Sequence, residues 1–155
     1  MSGLFLCLGI MRYTSNHSLL GRYSMILRLL TARNIILLAA LSGFLSVAIG
    51  AFAAHGLKQV FTHQQLLWVD TAVKYQMFHG GVLLILGFVL KKWPNWQLIQ
   101  WAALSFLVGI LLFSGSLYIM AATQIKALGM ITPIGGLAML AGWLCLMLAA
   151  LKQPE

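Results

Sequence analysis

Carboxylates are nearly missing from this chain: of 155 residues only Asp70 and Glu155 are acidic. Neither falls in the middle of an apolar run, so no midspan carboxylate is present to relay protons in coupled transport. Charge of either sign is scarce, at 8% of residues against 61% hydrophobic, with a mean hydropathy of +0.95. A water-soluble fold built from this composition would lack polar surface. Cysteine is scarce too. Cys7 and Cys145 lie in different apolar settings, which excludes a disulfide framework and a zinc spacing and leaves free buried thiols as the expectation. No established catalytic or metal-binding motif occurs, so the chain is not expected to be an enzyme or to carry a cofactor or metal.

What the chain has in quantity is long apolar segments. Residues 35–54 run without an ionisable side chain, and about 20 apolar residues match a hydrocarbon core roughly 30 Å thick. Residues 72–90, 98–122 and 129–151 follow in the same style. Backbone polar groups in lipid must be paired within the segment, so each is expected as a helix. The fold class expected is all-α: a polytopic membrane protein, a four-transmembrane-helix bundle with a short interfacial helix between spans 1 and 2.

That interfacial helix is read from Thr62, followed three residues later by Gln65, the spacing of a capping box. The helix begun there either runs straight into the second span or lies along the interface with Trp68 at headgroup level. Asp70 and Lys74 stand one helical turn apart and are positioned to pair, for about 0.2–0.5 kcal/mol on an exposed helix. Lys91 to Trp96 and Thr123 to Leu128 are short turns, which make antiparallel hairpins of spans 2 and 3 and of spans 3 and 4. Ser42, Ser46, Gly50 and Ala54 form a small-residue stripe on the first span, the pattern by which membrane helices approach closely, either within one bundle or against another subunit.

The formal charge of +8 would suggest nucleic acid in a soluble domain, but the ten basic residues lie mostly at span ends, where they act as topological anchors; no nucleic-acid partner is expected. With both termini cytoplasmic, Arg12, Arg22, Arg28, Arg33, Lys91, Lys92 and Lys152 are inside and Lys58, Lys74 and Lys126 outside, seven against three. Residues 1–34 form a basic leader and 152–155 a short tail. Residues 4–11 resemble a signal h-region but lack a basic n-region and a cleavage site; a start at Met25 would leave Met25 to Asn34 as a compact basic leader, with the preceding residues either a dispensable extension or the product of an upstream translation start.

Four groups of residues, Gly50-Ala51-Phe52-Ala53-Ala54-His55, Tyr75-Gln76-Met77-Phe78-His79, Phe113-Ser114-Gly115-Ser116-Leu117-Tyr118, and Thr132-Pro133-Ile134-Gly135-Gly136 through Gly142-Trp143, occur in this order. In them the chain resembles the domain-of-unknown-function-423 family of small bacterial inner-membrane proteins, itself similar to the animal transmembrane protein 256 group. The likeness covers roughly residues 35–151. It implies four spans in a bacterial inner (plasma) membrane, and supplies no reaction, cofactor or catalytic residue.

In the proposed topology the outer half of the bundle gathers His55, Lys74, Tyr75, Gln76, His79, Ser114, Ser116, Tyr118 and Thr132. Polar groups in lipid must find partners inside the bundle. Tyr75 and His79 share a helix face, and Ser114 and Tyr118, on one face of the third span, are their expected partners. His79 is read either as a hydrogen-bonded structural residue or as a ligand or proton-transfer group; His55, at a span end, either as an interfacial anchor or as a functional group. The two differ in depth by about two helical turns, which argues against one haem held by both. A His, Tyr and Ser set without a nearby carboxylate is a poor hydrolytic site. Thr132-Pro133 either caps a fourth helix that starts inside the leaflet or marks a kink in a continuous span, with Gly135 and Gly136 open to a close backbone or a ligand. The function expected is that of a structural or accessory membrane protein working with a membrane-protein partner or as a homo-oligomer; the alternative is a binder or carrier of a lipid or small molecule at the outer polar cluster.

Overall fold

The computed structural model describes residues 30–152, so the first 29 residues of the leader, with Met25 and Cys7, and the last residues of the tail lie outside the described residues. Four helices follow one another: α1 (Ala32–His55), α2 (His63–Lys92), α3 (Gln97–Thr123) and α4 (Thr132–Ala150). All the described regular structure is helical, and each span is long and apolar enough to cross a membrane.

Local chemistry sets the helix ends. Thr31 caps α1 by accepting from the Asn34 amide at 3.3 Å. Thr62 caps α2 in a full capping box, its own amide donating to Gln65 Oε1 at 2.9 Å. The helix that begins there does not lie apart on the interface. It runs without a break through Lys92, because no Gly or Pro interrupts it before Gly80. The segment expected as a short interfacial helix is therefore the first turns of α2, preceded by a three-residue 3-10 turn, Leu57–Gln59. Trp68 accordingly packs inward beside Ala72, Leu117 and Met120. The α2–α3 turn is held by Gln100 Nε2 donating to the Pro94 carbonyl at 3.0 Å, with Lys92 Nζ 4.4 Å over the Trp93 ring. Gln124 ends α3 in the left-handed region at φ 60.

The fourth helix resolves the Thr132-Pro133 alternatives. A 3-10 stretch, Lys126–Met130, leads into α4, and Pro133 sits in the first α-helical turn, where its missing amide costs nothing. Thr132 is not the cap: Ile131 occupies that position without a side-chain bond.

Each helix packs on the next, α1 on α2, α2 on α3 and α3 on α4. The two central helices, α2 and α3, bury more of their length than α1 and α4. Ile35, Leu83, Leu90, Ala102, Ala103 and Phe106 form the core, while Phe44, Leu111 and Leu137 point outward at 66–72% exposure. So much exposed apolar surface is unsuited to water and suited to lipid. The chain is an integral membrane protein with four spans.

Close approach depends on small residues, because apolar side chains gain little by leaving lipid for one another. Ser42 and Ser46 of the stripe are buried, Gly50 is half-buried and Ala54 is exposed. A Cβ on Gly80 would stand 2.9 Å from Ser42 Oγ, and one on Gly87 2.5 Å from Ile36 Cγ1. Between α3 and α4 the crossing is tighter: a Cβ on Gly135 would press on the Phe113 amide nitrogen and lie 2.8 Å from its Cα.

Candidate functional site

The nine polar residues expected in one cluster are divided by the helices among several contacts. Gln76 is buried at the meeting of α1, α2 and α3. Its Nε2 donates to the Ser42 carbonyl at 3.1 Å and its Oε1 accepts from the Tyr118 hydroxyl at 2.7 Å. Ser42 Oγ returns a 3.4 Å bond to the Gln76 carbonyl, and Ser46 Oγ adds a 2.8 Å bond to the Ser42 carbonyl. Ser114 Oγ donates across the α2–α3 interface to the Ala72 carbonyl at 2.9 Å. Ser116 and Thr132 share a 2.8 Å hydroxyl contact between α3 and α4. Lys74 stays at the surface, 2.6 Å from Asp70, and His55 is exposed at the end of α1.

His79 is buried, and its partners are not Ser114 and Tyr118. Its Nδ1 lies 2.9 Å from the Tyr75 carbonyl, and its Nε2 accepts from the Trp143 indole N–H at 3.3 Å. A carbonyl can only accept and an indole can only donate, so a single proton on Nδ1 satisfies both. The expected pairing fails because Ser114 and Tyr118 turn toward Ala72 and Gln76, and α4 instead brings Trp143 over the imidazole. Aromatic rings complete the enclosure: Phe78 meets His79 edge-on at 5.3 Å and Phe106 lies at 5.3 Å, while Trp143 stands on Phe106 at 5.4 Å. In Trp143→Phe the ring packing survives but the imidazole loses its donor. Thermal unfolding in detergent is expected to show a loss of about 1 kcal/mol, the scale of interhelical hydrogen bonds in membranes.

Gln65 is a further polar residue whose wider role the sequence hides. Its side chain caps α2 and also donates from Nε2 to the Ala121 carbonyl at 2.7 Å, pinning α2 to the end of α3. The capping spacing signals the first bond; nothing local signals the second. The role of Trp143 was signalled only by its place among the motif residues.

Two grooves open sideways between non-adjacent helices. One, of about 370 Å³, separates α1 from α3 and has Gln76 and Tyr118 in its lining. The larger, of about 750 Å³, lies between α2 and α4, with Phe113 of α3 also lining it; His79, Phe78 and Trp143 border it, and Lys74 and Tyr75 stand toward one end. Tyr75 is partly exposed there, its ring 4.4 Å from that of Phe113. Among the described residues, no three His, Cys, Asp or Glu side chains come together.

A family profile described as "Protein of unknown function (DUF423)" matches residues 49–136. The chain is 45% identical over 117 residues to a UPF0382 membrane protein of Staphylococcus haemolyticus, covering 76% of this chain and 94% of that one. It is 44% identical over 118 residues to a UPF0382 membrane protein of Haemophilus influenzae, with 76% and 94% covered. To the UPF0382 inner membrane protein YgdD of Escherichia coli K12 it is 36% identical over 124 residues, covering 79% and 93%. No solved structure matches the chain. Four apolar spans, their crossing glycines and these relatives lead to one assignment: the chain belongs to the DUF423 family of proteins of unknown function.

Proposed function

We propose that this protein is a structural or accessory component of the bacterial inner membrane, without catalytic activity of its own, working through a membrane-protein partner or as a homo-oligomer. One observation carries the reading: most of the buried polar side chains within the spans join one helix to another. Among the described residues every buried side-chain nitrogen and oxygen has a hydrogen-bond partner. Gln76 joins three helices, and Ser114, Ser116 and His79 each join two. Such groups act as interhelical glue, whereas a transport path or an acid–base centre needs polar groups left available to substrate.

The name of the Escherichia coli relative supports the location. Charge supports an orientation with both termini in the cytoplasm. Arg33, Lys91, Lys92 and Lys152 lie at one end of the spans, while Lys58, Lys74 and Lys126 share the other with Asp70, in the sense of the positive-inside rule. Cysteines placed singly at His63 and Lys126 are expected to react together with an impermeant reagent added from outside; labelling of only one would overturn the four-span topology. For the accessory role, extraction of the tagged protein from its native membrane in mild detergent is expected to bring down a stoichiometric membrane partner, or a defined oligomer that crosslinks in intact cells. A solitary monomer in both measurements would count against it.

A further inference from the structure

Between α1 and α2, at the end of the spans that carries Asp70, lies a cleft of about 260 Å³. Sites that enclose a drug-sized ligand run to ~300–1,000 Å³, so this one takes a headgroup and not a whole lipid. Gly50 and Ala54 of α1, Asp70 and Val73 of α2, and Lys58 of the turn between them are in its lining. Its depth follows from the rise of the helix. Counted from the middle of the apolar run 35–54, Gly50 lies about 8 Å and Ala54 about 14 Å toward this end at 1.5 Å per residue. Half of a hydrocarbon core roughly 30 Å thick ends at about 15 Å. The floor of the cleft is therefore in the acyl region, and Lys58, past the last residue of α1, stands at headgroup level.

The charges at that level do not cancel. Asp70 Oδ2 is held by Lys74 Nζ at 2.6 Å, which neutralises the carboxylate and leaves Oδ1 without a partner among the described residues. Lys58 is exposed and makes no ion pair among the described residues, so its positive charge is the one left over. An occupant that fits is apolar over Gly50 and Val73, negative at Lys58 and able to donate a hydrogen bond to Asp70. A phospholipid with a glycerol headgroup meets all three conditions: ester-linked chains, a singly charged phosphate and hydroxyls beyond it. A choline headgroup has no hydrogen to donate. An ethanolamine headgroup donates, but its ammonium cancels the phosphate charge and stands beside Lys74. A free phosphate ester lacks the apolar end.

We infer that the cleft between α1 and α2 binds the headgroup of one anionic phospholipid of the phosphatidylglycerol type, its phosphate on Lys58, a glycerol hydroxyl donating to Asp70 and the start of its acyl chains over Gly50 and Val73. This inference goes beyond the accessory role and stands or falls apart from it.

The test uses the purified full chain in detergent, with phosphatidylglycerol, phosphatidylethanolamine and phosphatidylcholine of identical acyl chains, and counts retained lipid by native mass spectrometry. Phosphatidylglycerol is expected to be preferred by about fivefold, the worth of one lysine at a membrane surface. Lys58→Gln is expected to lower its retention by that factor and to leave the other two lipids unchanged. Lys126→Gln removes another exposed lysine, in the α3–α4 connection and outside the lining of the cleft, and is expected to change nothing; the contrast separates this site from general attraction to a basic protein. Ala54→Phe, at an exposed position of the lining, fills the cleft and is expected to lower phosphatidylglycerol retention at least fivefold. Glycerol 3-phosphate at the same concentration is expected not to be retained. Equal retention of the three lipids by the native chain, or equal effects of Lys58→Gln and Lys126→Gln, overturns the inference. Glycerol 3-phosphate held as well as the lipid does so too, as does unchanged retention in Ala54→Phe; should that variant unfold, Lys58→Gln, altered only at an exposed side chain, decides.

Discussion

Gly135→Ala is expected to destabilise the protein by about 1–3 kcal/mol, the range for overpacking a tight contact, while the adjacent Gly136→Ala is neutral or stabilises by up to about 1 kcal/mol. The two residues share a helical turn and a composition, and differ only in what lies opposite. At Gly135 the added methyl would meet backbone: the Phe113 nitrogen and Cα and the Leu112 carbonyl carbon, the last at 2.9 Å. Backbone atoms cannot rotate away, so α3 and α4 must part, and the contacts of Gly109 with Met139 and of Gly142 with Phe106 on the same interface loosen with them. At Gly136 the nearest atoms are those of the Phe113 ring at 3.8 and 3.9 Å, an ordinary van der Waals distance, and alanine's better helix propensity is retained. Reversible unfolding in mixed micelles, followed by circular dichroism, measures both. Equal effects of the two substitutions would show that α3 and α4 do not cross at Gly135.

Gln76→Leu should be the most damaging of the polar substitutions, at about 1–3 kcal/mol, because it removes two interhelical bonds and leaves the Tyr118 hydroxyl without its partner. Tyr118→Phe alone is expected to cost about 0.6 kcal/mol and no more than about 1.7 kcal/mol, the average and the maximum for single interhelical bonds in membranes. The pair forms a double-mutant cycle. With Tyr118 and Gln76 2.7 Å apart, the doubly substituted chain should be less destabilised than the sum of the single effects, since removing either partner already breaks the shared bond. Additive losses would mean that the bond contributes nothing. Ser42 offers an internal check. Its carbonyl keeps the Ser46 hydroxyl at 2.8 Å when Gln76 is gone, so the α1 side of the network should suffer less than the α3 side.

Segment length and hydropathy made the four helices legible, and the helix edges came from short-range chemistry: Thr62 with Gln65, and the Lys-Lys-Trp-Pro turn between α2 and α3. The course of the chain after Thr62 is a point of local ambiguity. A capping box announces where a helix begins, and whether that helix turns aside or continues depends on Trp68 finding Leu117 and Met120 on another helix. Period alone put Tyr75 beside His79 and Ser114 beside Tyr118, because neighbours on one helix are set by 3.6 residues per turn. It could not pair the two sets.

By itself the sequence determined that this chain lives in lipid as four helices, because the cost of unpaired backbone in hydrocarbon leaves each apolar segment one solution. Only the tertiary structure decided that Gln76 and Tyr118 join α1 to α3, that Trp143 serves His79, that Gly135 and not Gly136 carries the α3–α4 crossing, and that a groove lies between α2 and α4. The reason is physical: those outcomes depend on the rotation and crossing of whole helices, which short-range periodicity leaves free and which close contacts between distant residues fix.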